Sequence, residues 1–402
     1  MSRPVTTRII CSMARFLIQR CLNSANSFRT RAGNATILTL KSEIMKKVIF
    51  SLVGMALVLS SCKNDSQEFP DYIYQTISFA QQTPIRTVTL GEDGEYDTTL
   101  DNQHIVQVCP VLGGVNTNKK DRWVEFEIDP SLVQGMSFSD GSEVKLLPQS
   151  YYTLSSDKRV TIKKGKVLGY LDVKLEDAFF ADPEAVNTCY VLPVRLTTAS
   201  DSILEGTPKV AGTTPSVVDK DQWSVQPKNF TLYAIKYKNK WHGIWMSKWS
   251  CSGENNGVSF SNESKPSNWE KADLRQLTSK SLSESHYAFT HAVACVDASG
   301  ATVEKNISCD LILKVDDNGN VSVSTETPGC TASGNGKYTY HGAIKAWNNT
   351  DRDMIEVTYS YTIPYVVNEQ TGATAEYKAN MTETLVARDR QNRLETFSYT
   401  LR

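Results

Sequence analysis

The sequence predicts an all-β protein of two domains, an N-terminal β-sandwich followed by a C-terminal β-barrel or second sandwich. Three observations predict it. Apolar and polar residues alternate with a period of two almost throughout, and no stretch sustains the 3.6-residue period of an amphipathic helix. Short strand-like runs are separated by Gly, Pro, Asn and Asp clusters, the pattern of an antiparallel fold. A Gly/Pro-containing stretch at 206–228 divides the strands into two groups. With 402 residues, 40% hydrophobic and 22% charged, the chain is neither disordered nor fibrous. Its 43 basic and 44 acidic side chains give no basic surface, so a nucleic-acid partner is not expected.

The first residues obey other rules. Residues 1–61 hold nine basic side chains and one acid, leaving 34 basic against 43 acidic groups from Cys62 onward. Met45 opens a compact export signal: Lys46-Lys47, an apolar run from Val48 to Leu59, then Ser60-Ser61-Cys62. The run is too short for a lasting membrane span. Leu59-Ser60-Ser61-Cys62 resembles a bacterial lipobox, in which the cysteine is lipidated and becomes the new N-terminus. The expectation is a lipoprotein signal at 45–61, an anchor at Cys62 and a polar tether at 62–70. Residues 1–44 are read as an upstream extension from a mis-called start. The expected location is the outer membrane, at the cell surface or on its periplasmic face.

The strands follow in order. Val124, Phe126 and Ile128 alternate with Trp123, Glu125 and Glu127, and Leu171, Val173 and Leu175 with Asp172 and Lys174. Tyr190, Leu192, Val194 and Leu196 share a face, with Pro193 pointing to an edge strand. These fall in a first domain at 71–205. After the 206–228 linker, a second domain at 229–402 holds further strands, the clearest carrying Ile355, Val357, Tyr359, Tyr361 and Ile363 on one face. Asp316-Asp317-Asn318-Gly319-Asn320 has alternating oxygen ligands, but Asn-Gly between two strand runs reads as a hairpin turn rather than a calcium loop. Six cysteines remain after Cys62 (Cys109, Cys189, Cys251, Cys295, Cys309, Cys330), with no C-x-x-C motif and their pairing open.

Several segments resemble a known family: Tyr96 to Leu100, Val124-Glu-Phe-Glu-Ile-Asp-Pro-Ser-Leu132, Leu147 to Leu154, Val160 to Gly165, Tyr190 to Val194 and Tyr237-Lys-Asn-Lys-Trp-His-Gly243. They resemble Bacteroidetes surface lipoproteins with an N-terminal immunoglobulin-like domain of unknown function, found in glycan-utilisation loci, followed by a second β domain. The resemblance covers about residues 70–402. It implies an immunoglobulin-like sandwich and a glycan-handling neighbourhood, and names no active residue.

Binding residues are sought where aromatics meet polar loops. Trp241, Trp245 and Trp249 are four apart and share one face of a strand. Planar indoles suit the apolar faces of pyranose rings, yet Gly243-x-Trp245 also resembles the opening of lipocalin-like barrels, where the indole plugs the base. Trp241 and Trp245 are therefore read as core first, with Trp245 kept as a platform candidate. Trp249 beside Lys248, Trp269 in a polar loop and Trp347 before Asn348-Asn349 are the stronger ligand candidates. Asn255 and Asn256, with Glu254 and Glu263, are placed to bond sugar hydroxyls or simply to solvate a hairpin.

The five histidines have no metal-ligand spacing, and His286 and His291 should lie on opposite faces of a strand. No cofactor, metal or catalytic motif is expected, and Glu125 and Glu127 read as a solvated face. The expected function is a lipid-anchored accessory protein binding a glycan, and not an enzyme. The alternatives are a protein-interaction or adhesion module, and a carrier of a small apolar ligand in a C-terminal barrel.

Overall fold

The computed structural model describes residues 71–401. The expectations for 1–44, for 45–61, and for Cys62 with the tether lie outside the described residues. Within them, no helix is long and apolar enough to cross a membrane.

The first body is a sandwich. Its main sheet runs in the order Glu395–Thr396, Pro84–Thr89, Phe230–Lys238, Tyr190–Ala199, Arg122–Ile128, Arg159–Ile162. Two three-stranded sheets face it, centred on Leu171–Leu175 and Thr76–Phe79. The alternation read from the sequence fills the space between: Val124, Phe126, Leu171, Val173, Leu192, Val194 and Leu196 are all buried in one core. Most pairings are antiparallel. Phe230–Lys238 against Pro84–Thr89 is parallel, since most of the domain intervenes between them.

Three expectations are revised. Pro193 is not on an edge, because Tyr190–Ala199 has neighbours on both sides. Lys145–Leu146 pairs with Tyr190 and Val191, and the Arg122–Ile128 strand takes over at Val194. Pro193 sits at that change of partner, where no ladder donor is required, and its carbonyl still accepts from the Asp129 N–H at 3.1 Å. Residues 206–228 are not a free linker either. Val217, Val218 and Trp223 cover the second face of the main sheet, burying Val191, Leu232 and Ala234. Finally, Phe230–Lys238 and Glu395–Thr396, both expected in the second domain, are strands of the first.

The second body is a barrel. Its strands are β1 (Gly243–Asn255), β2 (Val258–Ser264), β3 (Asp273–Ser279), β4 (Glu284–Val296), β5 (Thr302–Val315), β6 (Asn320–Thr325), β7 (Thr331–Trp347), β8 (Thr350–Asn368) and β9 (Ala373–Asp389). Sequential antiparallel pairing runs from β3 to β9, and β9 returns to β1 over Ile244–Asn255 to close the ring. β2 adds to the far half of β1 only. The odd-numbered β8 residues from Ile355 to Ile363 point inward, as their alternation requires. The Asp316 loop is a turn between β5 and β6. Asp316 Oδ1 accepts from the Asn318 and Asn320 N–H groups at 2.9 and 2.7 Å, with Gly319 at φ +77°.

The barrel base is built where the chain leaves the sandwich. Asn239, fully buried, donates to the carbonyls of Ser281 and Glu284 at 2.9 and 2.8 Å. Gly243 has φ +144°, and a Cβ there would meet the Asp389 carbonyl at 2.2 Å, so only glycine lets β1 close against β9. Trp245 Nε1 donates to the Trp241 carbonyl at 2.8 Å. The Arg390 guanidinium donates to the carbonyls of Leu90, Asn239 and Lys240, fastening both bodies at one point. Arg390→Ala should therefore cost about 3 kcal/mol of stability, read as a lower urea midpoint.

His242 belongs to the same base. Its Nδ1 accepts the Ser279 N–H at 3.0 Å, and burial together with the Lys238 and Arg390 cations lowers its pKa to about 3. The folded state thus binds this proton less readily than the unfolded chain. The resulting stability is complete above the unfolded value of about 6.5 and is lost as pH falls towards 3. His242→Asn, which keeps an acceptor that does not titrate, should flatten the fall in melting temperature across that window.

Candidate functional site

The inward face of β1 carries Trp245, Ser247, Trp249 and Cys251 in register. Trp245 and Ser247 lie deep, and Trp249 and Cys251 line a cavity of about 320 Å³ in the upper barrel. One side of that cavity is a gap in the wall. β3 and β4 pair only at Thr278↔His286 and Ser279↔Ser285, after which they part. Asp273–Leu277 then pairs with β1, and Tyr287–Cys295 with β5. Arg275 and Phe289 face each other across the opening, with the guanidinium carbon 5.6 Å from the ring centre. The cavity draws its lining from both sides of the gap, including Asn262 and Phe260 of β2.

Its walls are aromatic. Phe289 and Tyr361 stack with centroids 5.3 Å apart, His291 and Tyr377 at 4.2 Å, and Phe260 and Tyr377 at 5.2 Å. His291 Nε2 is 2.7 Å from the Tyr361 hydroxyl. Burial, and then the Arg275 cation, lower the His291 pKa, so at neutral pH the ring is an uncharged hydrogen-bonding surface. Burial holds the Tyr377 phenol up at about 12. Trp249 Nε1 donates to Asp273 Oδ2 at 2.6 Å, which fixes the indole as a wall.

Beneath the cavity lies a carboxylate with no access to solvent. Glu383 accepts from Tyr287 at 2.8 and 2.9 Å, from Tyr359 at 2.9 Å, from Ser247 and, at 3.4 Å, from Arg275 Nε. Both tyrosines are held far above the usual phenol range, chiefly by burial, so each remains a donor. The Arg275 Nη groups have no hydrogen-bond partner among the described residues and stand at the cavity floor. Aromatic planes and a few convergent polar groups are the furniture of a small-molecule site. Among the described residues, no cluster of His, Cys, Asp or Glu is placed to hold a metal ion.

The tryptophans chosen from the sequence are divided between two faces. Trp249 is in the cavity. Trp245, 2% exposed and bonded to Trp241, is part of the base and offers no ring face to a ligand. Trp269 and Trp347 lie on the other face of the sheet, around Met246, Ala343, Met354 and Val386. Each already carries a cation over its ring, Lys248 at 4.2 Å and Arg388 at 4.8 Å. Asn255 is occupied by the Tyr365 hydroxyl at 2.6 Å, and Asn256 is a turn residue at φ +48°.

Arg275, His291, Tyr361, Tyr377 and Glu383 were not foreseen. One signal was available. In β9 the inward positions read Ala379, Met381, Glu383, Leu385, a lone acid in an apolar face. His286, by contrast, lies on the face away from His291 as expected, pairing with Asp310 Oδ2 at 2.5 Å.

The fold and cavity define a two-domain all-β protein in which a sandwich carries a slit barrel. A family described as domain of unknown function DUF5627 matches residues 240–391, and an N-terminal domain family matches 69–203. A solved Bacteroides ovatus structure of unknown function is 30% identical, covering 83% of this chain and 100% of its own, with a TM-score of 0.70. The chain belongs to this Bacteroidetes family of paired β domains of unknown function. A second Bacteroides ovatus structure of unknown function is 12% identical, covering 80% of this chain and 99% of its own, with a TM-score of 0.38. An auxiliary nutrient binding protein from Bacteroides thetaiotaomicron, also 12% identical, covers 77% and 95% with a TM-score of 0.33. No curated protein matches the chain. Neither matching family model describes an enzyme.

The Glu383 network yields a direct expectation. Glu383→Ala leaves Arg275 without its counter-charge and should cost about 3–5 kcal/mol. Tyr359→Phe removes one of several donors and should cost about 1–2 kcal/mol, with both read by urea denaturation.

Proposed function

We propose that the protein is exported, anchored through a lipidated Cys62, and binds a glycan in the barrel cavity as an accessory of polysaccharide use at the cell surface. The observation that carries the reading is the cavity itself, whose aromatic walls are Trp249, Phe289, Tyr361 and Tyr377 and whose floor is the open side of Arg275. Aromatic faces stack on the C–H faces of pyranoses, while Arg275, Asn262, Thr290 and His291 supply hydrogen-bonding groups for hydroxyls. Arg275 is already balanced by Glu383, so the site has no surplus positive charge to prefer an acidic sugar. This polar floor also disfavours an apolar cargo. The signal-like run from Met45 and the lipobox resemblance at Cys62 support the location, and the family resemblance supports the glycan setting.

A glycan array followed by calorimetry on the best neutral oligosaccharide tests the reading. Trp249→Ala and Tyr377→Ala should each weaken binding at least tenfold, about 1.4 kcal/mol, without unfolding the barrel. Trp269→Ala and Trp347→Ala, on the other face of the sheet, should leave affinity within twofold. Failure to bind any glycan, or loss through the outer tryptophans alone, overturns the cavity as the sugar site.

A further inference from the structure

Two of the six cysteines after residue 62 meet at the barrel wall. Cys309 lies on β5 with its thiol turned into the core. The chain runs on to the Asp316 turn, returns as β6, and at Thr325 leaves the ladder for a tight turn ending in Cys330. That turn is held firmly against β5. Thr325 Oγ1 donates to the Asp310 carbonyl at 2.7 Å, the Asp310 N–H donates to Thr327 Oγ1 at 2.9 Å, and the Cys330 N–H donates to the Thr327 carbonyl at 3.0 Å. The Cys330 sulfur is consequently 4.0 Å from the carbonyl of Ser308, the residue before Cys309, and it packs against the same core that buries Cys309. Cys309 Sγ is itself 3.4 Å from Thr325 Oγ1. The other four thiols have different surroundings: Cys109 faces the Gln107 carbonyl, Cys189 that of Glu184 and Cys295 that of Val293, while Cys251 lines the barrel cavity.

We propose that Cys309 and Cys330 are a disulfide-forming pair, oxidised by exchange with a donor disulfide. The pairing does not depend on the glycan reading. Cys330 is the partly exposed partner and Cys309 the buried one, so the order of events follows. The Cys330 thiolate attacks the donor disulfide and releases one donor thiolate. The Cys309 thiolate then attacks the Cys330 sulfur of the mixed disulfide and expels the second. Two cysteine thiols are oxidised, one donor disulfide is reduced to two thiols, and the two protons pass to the departing thiolates. Burial and the adjacent Cys309 hold the Cys330 pKa up at about 11, so the first step is slow at neutral pH without a catalyst.

The bridge would close the loop of residues 310–329 and tie β5 to the start of β7 past the end of β6, limiting the freedom of the unfolded chain. It would form after export, since an oxidising compartment supplies the donor.

The test uses the full chain, folded, at mildly alkaline pH with a mixture of oxidised and reduced glutathione, against a dithiothreitol control. Free thiols are then alkylated and peptides mapped without reduction. The expected result is one linked pair, Cys309 to Cys330. The melting temperature of the oxidised protein should exceed that of the reduced form by about 5–10 °C, a difference absent in the C309S/C330S double variant. A folded protein in which both thiols stay alkylatable overturns the proposal. So does Cys330 linked to another cysteine, or Cys330 ending as a glutathione mixed disulfide beside a free Cys309. The peptide map requires no variant and no sugar, so a failed pairing and a failed glycan site are told apart.

Discussion

A carboxylate placed inside an apolar barrel must be answered from several directions, and that requirement organises the upper half of this one. Glu383 on β9 is met by Ser247 from β1, Arg275 from β3, Tyr287 from β4 and Tyr359 from β8. These five strands include both sides of the closing β9–β1 ladder and both sides of the β3–β4 gap. An isolated buried charge costs several kcal/mol, so the donors have to stay in place and the strands that carry them stay with them. The gap can therefore remain unpaired without the wall falling open. Arg275, held to Glu383 by Nε, lines the cavity there with its Nη groups lacking a hydrogen-bond partner among the described residues.

The same network explains what kind of space the cavity is. Closure of the base by Trp245 fills the bottom with indole and aliphatic groups, while the charged centre sits midway and the stacked rings surround the mouth. The interior thus grades from an apolar base to a polar floor. On the outer face Trp269 and Trp347 each lie beneath a cation and brace the sheet.

Much of the architecture was legible because period-two alternation survives tertiary context. Ile355 to Ile363 and Tyr190 to Leu196 could be assigned to one face with no structure at all, and Asn318-Gly319 announced its turn. The ring closure of β9 on β1 was not legible, since long-range pairing leaves no local mark. Pro193 misled because the rule against proline in a central strand assumes a continuous neighbour, and here the neighbour changes at that residue. Trp249 was found among the aromatics, but its companions were not. Phe289, Tyr361 and Tyr377 look like ordinary strand residues, and only the parting of β3 from β4 turns them into a wall. Glu383 alone broke its pattern.

The pairing of Glu395–Thr396 with Pro84–Ile85, and of Tyr399–Leu401 with Met136–Phe138, has a consequence for biogenesis. The barrel is an insertion, entered from one strand of the sandwich and left towards another. During synthesis the sandwich therefore lacks strands until residues 395–401 have been made, long after its own first half. The two bodies cannot mature one after the other from the N-terminus. Residues 395–401 follow the barrel in the sequence and complete sheets of the older half of the chain, so that half cannot be completed before the barrel's sequence has been made.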